Sequence, residues 1–98
     1  MAMMELTILP VGTGKTSVSP YIAEIIKYLR KKKIPFELTA MGTIITGTSD
    51  NLLKLASILH KIPLAHGIRR VYTVIKLDDR RDKQQRPIDK IDSVLKKL

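Results

Sequence analysis

A chain of 98 residues, 44% of them hydrophobic, is sized for one domain around one core, and residues 1–98 are expected to form it. It contains no cysteine, which excludes disulfides, thiolate metal sites and a cysteine nucleophile. Eighteen Lys and Arg against nine Asp and Glu leave a formal charge of +9, a bias towards nucleic acid, acidic lipid or phosphorylated small molecules. The basic residues fall in short groups (Lys31-Lys32-Lys33, Arg69-Arg70, Arg80-Arg81, Lys96-Lys97), as an ordinary solvated surface would also have them. No apolar stretch follows basic residues at the start, and no run of about 18 apolar residues occurs, so a cytoplasmic protein with no membrane partner is expected.

In chain order, Glu5 to Val11 predicts a strand with Leu6 and Ile8 on one face, ended by Pro10-Val11-Gly12-Thr13-Gly14. Ser19 as a cap and Pro20 at the first helical position open a helix. In it Ile22, Ile25, Ile26 and Leu29 recur at i, i+3, i+4 and i+7, before a basic end at Arg30 to Lys33. Phe36 to Met41 and Thr43 to Thr48 predict two strands joined by a tight or bulged corner at Gly42. Ser49-Asp50 caps a second helix over Asn51 to His66, with Gly67 as its stop. Pro63 lies inside that helix and leaves the Leu59 carbonyl without its usual partner, which predicts a kink or a loosened last turn. Arg70 to Asp78 alternates Val71, Thr73, Ile75 and Leu77 against Tyr72, Val74, Lys76 and Asp78, a strand period. After a charged loop, Pro87 opens a short amphipathic helix with Ile88, Ile91, Val94, Leu95 and Leu98 on one side.

The order β-α-β-β-α-β with an added C-terminal helix is the ferredoxin-like arrangement, an α+β fold with an antiparallel sheet covered by helices on one face. With Leu6, Ile8, Val71, Ile75 and Leu77 facing the helices, Thr7, Leu9, Tyr72 and Val74 line the other face, with Thr39 and Met41 as neighbours. An apolar patch of that kind marks an interface or a pocket; a second subunit is the simplest cover, and the C-terminal stripe is expected to dock across it too.

Gly12-Thr13-Gly14-Lys15-Thr16-Ser17 ends like a phosphate-binding loop but has Leu9 where the motif needs its first glycine, which argues against nucleotide hydrolysis. The loop can still offer backbone N–H groups and the Ser17 and Ser19 hydroxyls to a ligand, with a plain structural turn as the equal alternative. Asp78-Asp79-Arg80-Arg81-Asp82-Lys83 is first a solvated, mutually paired loop. His60 and His66 diverge on a helix with no carboxylate placed beside them, so no metal site is expected; the two are assigned a helix-surface and a helix-end role. No Ser-His-Asp set is visible, and no catalytic residue or cofactor is assigned: the chain is not expected to be an enzyme. RNA-recognition domains stack bases on sheet aromatics, and here at most Phe36 and Tyr72 could serve, so no specific nucleic-acid partner is expected.

Three segments in order resemble the small thiamine-binding protein family, relatives of the YkoF-like proteins. They are Pro10-Val11-Gly12 with Ser17-Val18-Ser19 and Tyr21; Leu38-Thr39-Ala40-Met41-Gly42-Thr43; and Arg70-Val71 with Ile75 to Lys83, continued by Lys90, Ser93-Val94 and Lys97-Leu98. The resemblance implies a ferredoxin-like fold, dimers that pair into homotetramers, and binding of thiamine, its pyrimidine moiety or a phosphorylated form without turnover. The ligand-binding set it implies is Ser17, Ser19, Leu38, Thr39, Met41, Gly42, Thr43, Asp78 and Arg80. An aminopyrimidine suits an apolar slot with a donor and an acceptor, which Leu38, Thr39, Met41, the Gly42 backbone and the Thr43 hydroxyl can supply, and Asp78 or Asp79 would face the thiazolium charge.

The sequence departs from the family at three places. Relatives commonly have Pro where Ala40 stands, an acid where Thr46 stands and Glu where Lys61 stands. Two lost carboxylates on a chain at +9 suit a cation less, and point to a phosphorylated ligand with Lys15 or Arg80 near the phosphate. They also keep open the alternative of a structural or regulatory oligomer that has lost its ligand.

Overall fold

The computed structural model describes residues 1–14, 19–82 and 86–98. Its elements are β1 (Ala2–Val11), α1 (Ser19–Lys31), β2 (Glu37–Leu38), β3 (Thr43–Gly47), α2 (Ser49–Ala65), β4 (Arg70–Asp79) and α3 (Pro87–Leu95). The strands form one antiparallel sheet in the order β2-β3-β1-β4, as the ferredoxin-like reading requires.

Strand β1 starts at Ala2, earlier than its sequence suggests, because Ala2 and Met4 continue the inward alternation of Leu6, Ile8 and Pro10 although neither is a strong strand former. These inward residues meet Ile25, Ile26 and Leu29 of α1, Ile45 of β3, and Leu52, Leu55, Ala56 and Leu59 of α2 in one buried cluster. Cap chemistry sets the helix ends. The N-cap of α2 is Thr48, not Ser49-Asp50: its hydroxyl accepts the Asn51 N–H at 3.2 Å, the third helical position such an oxygen reaches. Helix α2 runs on through Pro63 to Ala65 and ends there in a glycine stop. Ile68 N–H donates to the Pro63 carbonyl and Gly67 N–H to that of Leu64, with Gly67 at φ +89°, a left-handed stop that glycine adopts without penalty.

Three further expectations are corrected. Strand β2 is two residues long, not Phe36 to Met41, because the chain turns away at Thr39. Along β4 the register puts Ile75 and Leu77 opposite Leu6 and Met4 on the helix-covered face, yet they are 43% and 38% exposed, since β4 is the edge strand and α2 covers only its Val71–Thr73 end. There the ring nitrogen Nδ1 of His60 hydrogen-bonds the Thr73 hydroxyl at 2.6 Å, so His60 ties α2 to the sheet and is half-buried, not a surface residue.

The C-terminal helix reaches the open face only at its start. Pro87 borders a shallow depression with Phe36, Ile44 and Thr46, and Lys90 pairs with Asp78. No residue of α3 is buried, and Ile91, Val94 and Leu95 remain more than half exposed, so the stripe expected to dock across the sheet lies bare in the monomer.

Candidate ligand-binding site

The cleft follows from the shortness of β2 and β3. Strand β3 pairs with β1 only as far as Leu6–Thr43, while β1 continues to Val11 with β4 alone on its other side. In the space beside Thr7 to Leu9 the chain reverses through Thr39 to Gly42. Thr39 holds this corner together: its hydroxyl accepts the N–H groups of Met41 (3.2 Å) and Gly42 (3.0 Å) and donates to the Gly42 carbonyl (2.9 Å), which also accepts the Thr39 N–H (2.8 Å). The Thr7 hydroxyl donates to the Met41 carbonyl at 2.9 Å and ties the corner to β1. The crossing is tight, since a Cβ on Gly42 would stand 3.0 Å from Thr7 Oγ1 and 3.1 Å from the Leu6 carbonyl oxygen, so a larger residue requires the neighbours to give by a few tenths of an ångström.

Between this corner and α1 lies a cleft of about 590 Å³, within the range of small-molecule sites. Leu6, Ile8 and Leu9 form its floor; Ile22, Ala23 and Ile26 of α1 form one wall, and Leu38 to Thr43 the other. The charged side chains among the described lining residues are Lys27 and Arg30, and no carboxylate, His or Cys is among those residues. Lys27 forms an exposed pair with Glu24 at 3.3 Å, and Arg30 has no ion-pair partner among the described residues.

Leu38, Thr39, Met41, Gly42 and Thr43, all named from the sequence, meet in this cleft. Their availability differs. Met41 is 79% exposed and stands free at the mouth, whereas Thr43 is buried at 6% and the Thr39 hydroxyl is already engaged in the corner. Asp78 and Arg80 lie elsewhere in the subunit. Asp78 pairs across the ladder with Met3, which precedes Thr7 by four residues, roughly 13 Å at about 3.3 Å per residue. Its carboxylate takes the Lys90 ammonium, and the Arg80 guanidinium holds Asp82 through two hydrogen bonds of 2.6 and 3.0 Å. Hydrogen bonding to Asp82 raises the Arg80 pKa above its ordinary value. Ser17 and Lys15 lie outside the described residues; Ser19 is the first residue of α1, whose later turns line the cleft.

Of the three departures, only Ala40 lines the cleft. Thr46 faces the open side of the sheet opposite Met3, and Lys61 is exposed on α2. Sequence reasoning missed the α1 contribution. Ile22 and Ile26 were assigned to the core stripe, but Ala23, Lys27 and Arg30 form an adjoining stripe at i, i+4 and i+7, the signal that a second surface of the helix meets something.

Among the described residues no group of three His, Cys, Asp or Glu side chains is placed to hold a metal ion, and no helix is long and apolar enough to cross a membrane. Phe36 packs against the core, which leaves Tyr72 as the aromatic side chain displayed on the open face.

A family model described as thiamine-binding protein matches residues 4–95. The UPF0045 protein YqgV of Bacillus subtilis is 41% identical over 102 residues, spanning 100% of this chain and 98% of its own. Among solved structures, the hypothetical protein MJ1052 of Methanocaldococcus jannaschii superposes with a TM-score of 0.80 at 31% identity, over 95% of this chain and 94% of that one. A Thermotoga maritima protein, provisionally assigned to thiamine biosynthesis or salvage, shares the fold with a TM-score of 0.76 at 12% identity, over 95% of this chain and 97% of that one. The resemblance carried by the Leu38 to Thr43 and Arg70 to Lys83 segments thus holds along the whole length, and the chain belongs to the thiamine-binding protein family.

Proposed function

We propose that the chain, as one domain over residues 1–98, binds thiamine or a close relative without turnover, in the cleft between α1 and the Leu38–Thr43 corner. The observation that carries this reading is the cleft itself: five of the residues singled out from the family motif border an apolar slot of about 590 Å³ in a chain that belongs to the thiamine-binding family. A flat aminopyrimidine matches such a slot, with Leu9, Ile26 and Met41 against its faces and backbone groups of the corner at its edge. The described lining offers no His, Cys or carboxylate to move a proton or attack a bond, which favours binding over chemistry.

The working form is a cytoplasmic homo-oligomer, a dimer of dimers. Two apolar surfaces argue for it: Leu9, Tyr72 and Val74 on the open sheet face, and the bare stripe of α3. Asp78 and Arg80, far from the cleft within a subunit, would reach a ligand only from a neighbouring copy. The alternative, a structural or regulatory oligomer without a ligand, draws on the absence of a carboxylate among the described lining residues to meet a thiazolium.

Calorimetric titration with thiamine and with hydroxymethylpyrimidine, alongside the mass in solution, separates the two. Saturable binding that Ala23→Trp abolishes at unchanged mass and helicity supports the cleft. A folded oligomer giving no heat with either compound or with the phosphate esters supports the structural alternative.

A further inference from the structure

Resting on that reading, we infer that the cleft prefers phosphorylated ligands, with Lys27 and Arg30 of α1 holding the phosphate while the ring lies in the apolar slot. The charge that lines the site is positive, with the Glu24 carboxylate beside Lys27 just outside the lining. Its described lining contains two cations and no anion, in a chain of net charge +9, so a cationic thiazolium alone meets repulsion, whereas a phosphate or diphosphate ester carries net negative charge into the same place.

Lys27 and Arg30 stand three residues apart, which puts both side chains on one helix face about 5–6 Å apart at Cβ, close enough to share one phosphate group. Neither is committed elsewhere by a strong contact. The Glu24–Lys27 pair is solvent-exposed on both sides, the kind of pair that contributes little and yields readily to a better anion. The guanidinium of Arg30 has no carboxylate partner among the described residues and offers the planar fork that grips phosphate oxygens in pairs. Lys31, Lys32 and Lys33 follow directly and add to the field at this end of the helix. Because the carbonyl end of a helix repels anions, the side chains and not the helix termini must supply the attraction. Arg80, the other cation considered for this role, already holds Asp82 with both arms of its fork on a distant part of the sheet.

The test is a titration of the purified oligomer with thiamine, its monophosphate, its diphosphate and inorganic phosphate, at about 50 and about 300 mM salt, a span over which phosphate contacts weaken measurably. The intact protein should bind the diphosphate about tenfold more tightly than thiamine at low salt, with the gap narrowing at high salt and inorganic phosphate binding far more weakly than either ester. In Lys27→Gln/Arg30→Gln, checked for fold by circular dichroism, the preference should vanish. Equal affinity for thiamine and its diphosphate in the intact protein, or a preference that survives in the double variant, overturns the inference and leaves the cleft reading standing. Binding of inorganic phosphate as tight as that of the esters also overturns it, and absence of binding by every compound overturns both.

Discussion

At the Leu9–Tyr72 end of the sheet a corner closed by hydroxyl groups borders an apolar cavity lined in part by Lys27, which pairs with Glu24, and by Arg30, whereas at the Met3–Asp78 end the charges satisfy one another. Asp78 takes Lys90, Asp79 takes Arg81 and Asp82 takes Arg80, and beside them an apolar helix stripe lies bare. Both ends carry residues of the family motif. The difference lies in what remains after the internal pairing: at the cleft Lys27 pairs with Glu24 and Arg30 keeps no carboxylate partner among the described residues, the charge on which the proposed anionic ligand rests, whereas compensated charge beside a bare stripe suits the proposed contact with another subunit.

The largest effect expected is at the cleft end. Gly42→Val drives a branched side chain against the Leu6 carbonyl and Thr7, destabilises the fold by about 1–3 kcal/mol, and removes binding altogether. Urea unfolding and calorimetry read the two consequences. Next, Ile91→Glu/Leu95→Glu at the other end should reduce the mass in solution with unchanged thermal stability of the remaining species, because α3 buries nothing within the subunit. Light scattering decides it, and an unchanged mass would remove α3 from the interface. A smaller effect belongs to Thr7→Val, which loses the hydrogen bond to the Met41 carbonyl without changing shape; stability should fall by about 0.5–1.5 kcal/mol and affinity a few-fold. Smallest is Asp78→Asn: the pair with Lys90 is half-exposed, so stability should change by less than about 0.5 kcal/mol. Lost ligand affinity in that variant would mean that the far end of a neighbouring subunit completes the cleft, and would blur the contrast between the two ends.

The elements with a strong period were legible from sequence: the alternation of Leu6 and Ile8, the Ile22–Leu29 stripe and the Val71–Leu77 strand each commit many side chains to one face. What escaped depends on single hydrogen bonds or on long-range position. Strand β2 looked longer because Leu38 to Met41 has strand-like composition, and only the Thr39 hydroxyl bonds reveal a turn there. Ser49 and Asp50 cap as well as Thr48 in isolation, and the choice rests on which oxygen reaches the Asn51 N–H. For the site, the Leu38–Thr43 corner was legible as a group because it is contiguous. Lys27 and Arg30 were not, since their meeting with that corner depends on where α1 crosses β1, and Asp78 was grouped with it although the ladder places Asp78 at the opposite end.

The central claim, that the cleft between α1 and the Leu38–Thr43 corner is the binding site, is tested most directly by following backbone amide chemical shifts during titration with thiamine diphosphate. The account predicts that the saturating shifts cluster on Thr7 to Leu9, Ala23 to Arg30 and Leu38 to Thr43. Shifts concentrated on Asp78 to Asp82 and α3, with the corner silent, would contradict it.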